Sequence, residues 1–246
     1  MTSTLNKLSA ITVLLLASSF QASAADSNSC GKYENNKCYY NPSIAVNSAM
    51  YGMSDGFINL DYHPIYAPYY NSNNYASQVI LSGLVGHDLP YEFALEYLVD
   101  RQNYMEKGHL GWFYMNNNEN ISGYSDSWIF PNELFRYAKS NKNSYKGMHF
   151  DYVTHDTPRE YLDTSKIKLG DIIFADWEND GKMDHTFIVT SIDSSATGYD
   201  KIKVTYSYDA HLPATVNRSL GNINISHNYK ATFQVYRPTF YSDLGL

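Results

Sequence analysis

The chain has 246 residues, enough for one domain with a sizeable core, and no repeat or low-complexity linker divides it. Its formal net charge of -7, with no run of lysines or arginines, argues against nucleic acid as a partner, because phosphate contacts need a basic stripe. The unusual term is tyrosine, with 24 residues among many asparagines and serines; these suit polar stacking surfaces for sugars or peptides, or equally the interface layers of a β-rich fold.

In chain order, Lys7, an apolar run over residues 11–16 and Ala22-Ser23-Ala24 before Ala25 have the layout of a secretory signal peptide cleaved after Ala24. The run is too short for a permanent anchor and no later stretch approaches transmembrane length, so residues 1–24 are expected to be removed and the mature protein secreted or periplasmic. Cys30 and Cys38, the only cysteines, then read as a disulfide in an N-terminal segment over residues 25–39 rather than as a metal site. A single domain is expected over residues 40–246.

Residues 41–53 place Ile44, Ala45, Ala49 and Met50 or Met53 on one face of a helix opened by Asn41, with Pro42 at its first position. After a Tyr/Pro/Asn-rich loop through Tyr70, Asn73 or Asn74 is expected to cap a second helix, with Tyr75, Val79, Ile80 and Leu84 at helical spacing and Gly86 at its end. Residues 112–127 read as an exposed loop, and Pro131 opens a third helix over 131–140. Strands are expected over 172–177, 185–192, 202–208 and 231–236. Helices first and an antiparallel sheet later make the chain α+β.

The stretch over residues 169–190 carries the chemistry. Ile172, Ile173 and Phe174 read as a buried strand, Asn179-Asp180-Gly181 as a positive-φ turn, and Phe187, Ile188 and Val189 as the returning strand. His185 sits at the start of that second strand, where a group that titrates near neutrality is held on a rigid element. The bland alternative is a half-buried histidine donating to a neighbouring carbonyl. Counting from a hairpin centre near residues 195–198 sets His185 opposite Ser207, with Asp209 and His211 on the same face. Asp209 is the better charge partner for an imidazolium, unless it only caps a turn. Asp176, Glu178, Asp180 and Gly181 suggest a calcium loop, but Phe187 stands at the twelfth place, so no EF-hand is expected. No metal and no cofactor are expected.

Gly170-Asp171, Asp176-Trp177, Asp180-Gly181, Asp184-His185 and Val189-Thr190 together resemble the pattern of the bacterial putative amidase domain, and the likeness runs roughly from Tyr40 to Tyr236. The opening helix with Ala45 and Ala49, the tryptophan-and-serine stretch from Trp112 to Trp128 and the segment around His211 are also similar to that family. The resemblance implies a papain-like fold, with N-terminal helices packed on an antiparallel sheet. It also implies an amidase or peptidase of cell-wall or peptide amide bonds, and His211 as the partner that orients His185. Where the family has Asp-Cys-Thr-Asn-Phe-Val-Ser-Gln, this chain reads Asn71-Ser72-Asn73-Asn74-Tyr75-Ala76-Ser77-Gln78. Ser72 therefore stands at the place of the nucleophilic cysteine.

A helix dipole and a neighbouring imidazolium activate a thiol far more than a hydroxyl, which must lose its proton during attack. Ser72 would need His185 as general base and oriented donors for the oxyanion, for which Gln78 and Asn71 are the candidates. Three functions follow: an exported amidase-like hydrolase with a Ser72–His185 site oriented by His211 or Asp209; an inactive member that binds a peptide, a peptidoglycan-like glycan or a protein without cutting it; or an exported structural or toxin-associated interaction protein that works through its tyrosine-rich face and keeps the site as a relic.

Overall fold

The described residues of the computed structural model are 31–35, 37–52, 71–85, 112, 114–117, 121–140, 147–156, 161–208, 214–227 and 230–242. The apolar runs of the second half of the chain form the centre of an eight-stranded sheet whose neighbouring strands are antiparallel. β1 (Tyr33–Glu34) and β2 (Lys37–Tyr39) lie at one edge. They are followed by β10 (Thr232–Ser242), β6 (Ile172–Asp176), β7 (His185–Ile192), β8 (Ile202–Tyr206) and β9 (Thr215–Ser219), while β5 (Gly147–His155) also pairs with β10. With helices packed against it, this is the α+β arrangement that the order of elements predicts.

The hairpin over residues 169–190 forms as expected. Asn179 and Gly181 take positive φ, 56° and 88°, and the buried Asp176 carboxylate closes the turn by accepting the backbone N–H groups of Asp180 at 3.1 Å and Gly181 at 2.7 Å. β5 goes unforeseen although Met148, Phe150 and Tyr152 alternate with His149 and Asp151 at a strand's two-residue period, which the adjoining Val153 then breaks. Pairing along nearly the whole of β10 stabilises it.

Among the helices, α1 (Pro42–Asn47) starts as predicted, with Asn41 Oδ1 accepting the N–H groups of Ser43 and Ile44. It continues into a π-helical turn, Ser48–Gly52. α2 (Asn71–Val85) corrects the expected cap: it begins at Asn71, and Asn73 and Asn74 lie buried within its first turn. Gly86, its expected end, lies outside the described residues. α4 (Pro131–Ser140) matches the third predicted helix, preceded by a short α3 (Asp126–Ile129); α5 (Leu220–Ser226) follows β9 and is capped by Ser219. Among the described residues, no helix is long and apolar enough to cross a membrane.

The exposed loop expected over residues 112–127 is also corrected. It contains a separate hairpin, β3 (Tyr114–Asn117) with β4 (Ile121–Tyr124), and Trp112, Ser125 and Ser127 are buried. Its polar atoms find partners inside: the Trp112 indole donates to Ser77 Oγ at 3.0 Å, and the Ser77 hydroxyl donates to the Trp128 carbonyl at 3.0 Å. Asparagine and serine richness is a poor sign of exposure where such partners exist.

Each face of the sheet covers its own core. Ile172, Phe174 and Ile188 pack with Tyr75, Val79, Ile80 and Leu84 of α2. Ile173, Ala175, Phe187, Val189, Val204 and Tyr206 pack on the opposite side with Leu220 and Ile223 of α5. The two-residue period of β6 and β7 assigns alternate side chains to these two cores, and that alternation decides the geometry of the site.

Candidate active site

Residues 72–84 of α2 are buried throughout, so its polar side chains must be paired by the protein itself. At the first turn, Ser72 is 4% exposed and its Oγ accepts the backbone N–H of Thr186 at 3.3 Å. Asn73 bridges two elements: its Nδ2 donates to the Ser127 carbonyl at 2.8 Å, and its Oδ1 accepts the Thr186 hydroxyl at 2.9 Å. The start of α2 is thereby tied to the start of β7. The Ser72 hydroxyl lies against the peptide group that joins His185 to Thr186.

The His185 side chain goes the other way. Thr186 meets α2, so its neighbour His185 belongs to the opposite face, with Phe187 and Val189. Its ring lies 4.6 Å from Phe187, 5.2 Å from Tyr206 and 4.8 Å from Tyr208, and Trp177 is 5.9 Å away. Within this aromatic cluster His185 is 6% exposed, and its Nε2 has no hydrogen-bond partner among the described residues. Burial, assisted by His227, pushes its pKa down to about 3, so the ring is neutral at pH 7.

A bulge between Val189 and Ser191 shifts the pairing of β7 with β8, whose register joins Ile188 to Thr205. Counting on from that pair sets His185 opposite Tyr208, whose ring lies against it; Ser207, expected there, is one place off because the hairpin pairs Ile192 with Ile202 and so is centred later than expected. Asp209 and His211 lie outside the described residues, as does Cys30; Cys38 is fully buried on β2. Of the oxyanion candidates, Gln78 Nε2 donates to Asn74 Oδ1 at 2.7 Å within the buried helix. Asn71 is the first residue of α2, and its side chain lies outside the described set.

Carboxylate oxygens of Asp176, Glu178 and Asp184 lie within 4.8 Å of one another, so Asp184 rather than Asp180 completes the acidic trio beside the turn. The charge of Asp184 raises the Glu178 pKa above the usual carboxylate range, while both Asp176 oxygens accept turn N–H groups. The Gly170-Asp171 pair has a structural explanation. Gly170 has φ 79° and a Cβ there would lie 2.7 Å from Pro42 Cβ, while Asp171 accepts Arg237 Nε at 2.7 Å, Arg237 Nη2 at 2.8 Å and the Lys168 N–H at 2.8 Å.

Two residues central to this geometry, Thr186 and Asn224, escape sequence reasoning. Asn224 Oδ1, on α5, is the second buried polar side-chain atom without a partner among the described residues. Its place four residues after Leu220 is the available signal, since that spacing repeats the inward face of a helix.

The site is thus a serine hydroxyl in the first turn of a buried helix, set against the peptide group that follows a strand-borne histidine whose ring faces away. The chain belongs to the putative amidase domain family, whose model matches residues 30–236. No curated protein and no solved structure matches the chain.

Proposed function

We propose that this protein is an exported, papain-like member of the amidase family that binds a peptide or cell-wall glycan without hydrolysing it. The observation that carries this is the division of Ser72 and His185 between the two faces of β7. The Ser72 hydroxyl accepts from the Thr186 N–H, while the imidazole that should take its proton is turned into an aromatic cluster. A general base must become cationic as the nucleophile attacks, and the burial that holds His185 neutral opposes that charge. Serine also lacks the thiolate chemistry that a helix terminus gives cysteine.

The hydrolytic alternative, Ser72 as nucleophile with His185 as base and His211 or Asp209 as orienter, has one observation in its favour: the hydroxyl lies a single peptide group from His185. Assays of mature protein on peptidoglycan and peptide substrates separate the two. No hydrolysis by the wild type or by Ser72→Cys is expected, since restoring the thiol leaves the imidazole on the wrong face. Hydrolysis by the wild type that vanishes in Ser72→Ala overturns the proposal.

Export and the disulfide belong to the same proposal. Mature protein should begin at Ala25, and alkylation should modify neither cysteine before reduction and both afterwards. N-terminal sequencing of secreted material and thiol counting check these two points.

A further inference from the structure

We infer that the sheet face turned away from Ser72 carries a binding site for a neutral sugar ring, lined by His185 Nε2 and Asn224 Oδ1 and walled by Trp177, Tyr206 and Tyr208. The inference rests on the binding role proposed above and gives it a location and a ligand class.

Among the described residues, His185 Nε2 and Asn224 Oδ1 are the buried side-chain polar atoms without a hydrogen-bond partner. A buried group in that state carries a desolvation penalty, and native proteins rarely leave one unmet. Here the two share one side of the sheet. Leu220 and Ile223 of α5 pack in the same core as Phe187 and Tyr206, and Asn224 follows on that inward side. One turn further on, the His227 ring stacks on Trp177 with centroids 3.7 Å apart and planes 4° from parallel. Trp177 in turn neighbours His185. The inward side of α5 therefore runs from the aromatic core past Asn224 to the indole that borders the imidazole.

The chemistry of the pair selects the ligand. Asn224 Oδ1 only accepts, whereas imidazole Nε2 donates or accepts according to tautomer, so a hydroxyl-bearing molecule can satisfy both. Aromatic rings offer broad, weakly polar faces to the C–H surface of a pyranose. Tyr208, 53% exposed and 4.8 Å from the His185 ring, supplies a wall that reaches solvent, which a site built only to hold an internal water would not need. Neither the neutral imidazole nor the amide offers an ionised ligand a counter-charge, and the Arg218 guanidinium beside these rings already donates to Tyr206 Oη at 3.1 Å.

Titration calorimetry of the full mature chain with uncharged cello- and chito-oligosaccharides, beside short peptides, tests the site. Saturable sugar binding is expected, weakened at least about tenfold by Asn224→Leu and by Tyr208→Ala. Tyr152→Ala removes an exposed tyrosine on β5 and is expected to leave the affinity unchanged. Melting curves verify that the variants are folded. Absence of sugar binding, binding indifferent to both site substitutions, or peptides binding in place of sugars would each overturn the inference; indifference would assign the two atoms to an internal water only. Amide hydrolysis by the wild type would instead remove the non-cutting role, which is read separately from the sugar titration.

Discussion

The two faces of β7 treat buried polar groups in opposite ways. Towards α2, Ser72, Asn73, Ser77, Gln78 and Thr186 are buried, and each meets a partner within the protein. Towards α5, His185 Nε2 and Asn224 Oδ1 are equally buried and meet none among the described residues. A polar cluster that is fully paired fixes a helix against a sheet, and little of its hydrogen-bonding capacity is left for a substrate. The unpaired face is the one with chemistry still to offer. Ser72, the residue proposed for the family's nucleophile position, is held here as part of the scaffold, and recognition is proposed for the side where scaffolding is incomplete.

That contrast is broken most severely at Asn73. Asn73→Ala removes two bonds, to the Ser127 carbonyl and the Thr186 hydroxyl, and leaves both partners buried. A loss of about 3 kcal/mol in unfolding free energy is expected, because stranded partners add their own desolvation penalty to the lost bonds. Denaturant unfolding measures it, and a loss below about 1 kcal/mol would mean that the first turn of α2 is not pinned to β7 as described.

Much of the fold is legible in the chain because local chemistry and tertiary packing agree there. Asn179 and Gly181 require the turn they make, Pro131 opens the helix it predicts, and Asn41 caps α1. The start of α2 reads wrongly for a physical reason. Asn73 and Asn74 have the composition of a solvent-facing cap, and only the arrival of Ser127 and Thr186, from 54 and 113 residues away, turns Asn73 into a core residue. The same holds for Trp112 and the serines beside it. The site is less legible still: spacing identifies Ser72 and His185 as neighbours of one junction, but which face His185 takes follows from the pairing of Thr186, which the chain alone does not display.

The unpaired face predicts a pH dependence of intermediate size. His185 in the folded protein holds a pKa near 3, below its ordinary 6.5, so as pH falls the unfolded chain takes up the proton first. Its contribution is complete above about pH 6.5 and is lost as pH falls towards the folded value, at up to about 1.4 kcal/mol per pH unit. Between roughly pH 6 and pH 4 the wild type is expected to lose about 2 kcal/mol more than His185→Phe, which keeps an aromatic ring in the cluster but has no proton to gain. Parallel pH slopes for the two proteins would mean that the imidazole is hydrated rather than enclosed.

Ser72→Ala should be the mildest change and the most informative about the junction. The hydroxyl accepts one N–H at 3.3 Å, near the long limit for such a bond, so its removal is expected to reduce stability by only about 1 kcal/mol. Asn73 would still hold Thr186 through its hydroxyl, and the helix would stay in place. A folded Ser72→Ala protein that keeps its oligosaccharide affinity would place recognition on the far side of β7. If affinity falls together with stability, the two faces are coupled through the Thr186 peptide group, and the hydroxyl contributes to binding by holding the strand that presents His185.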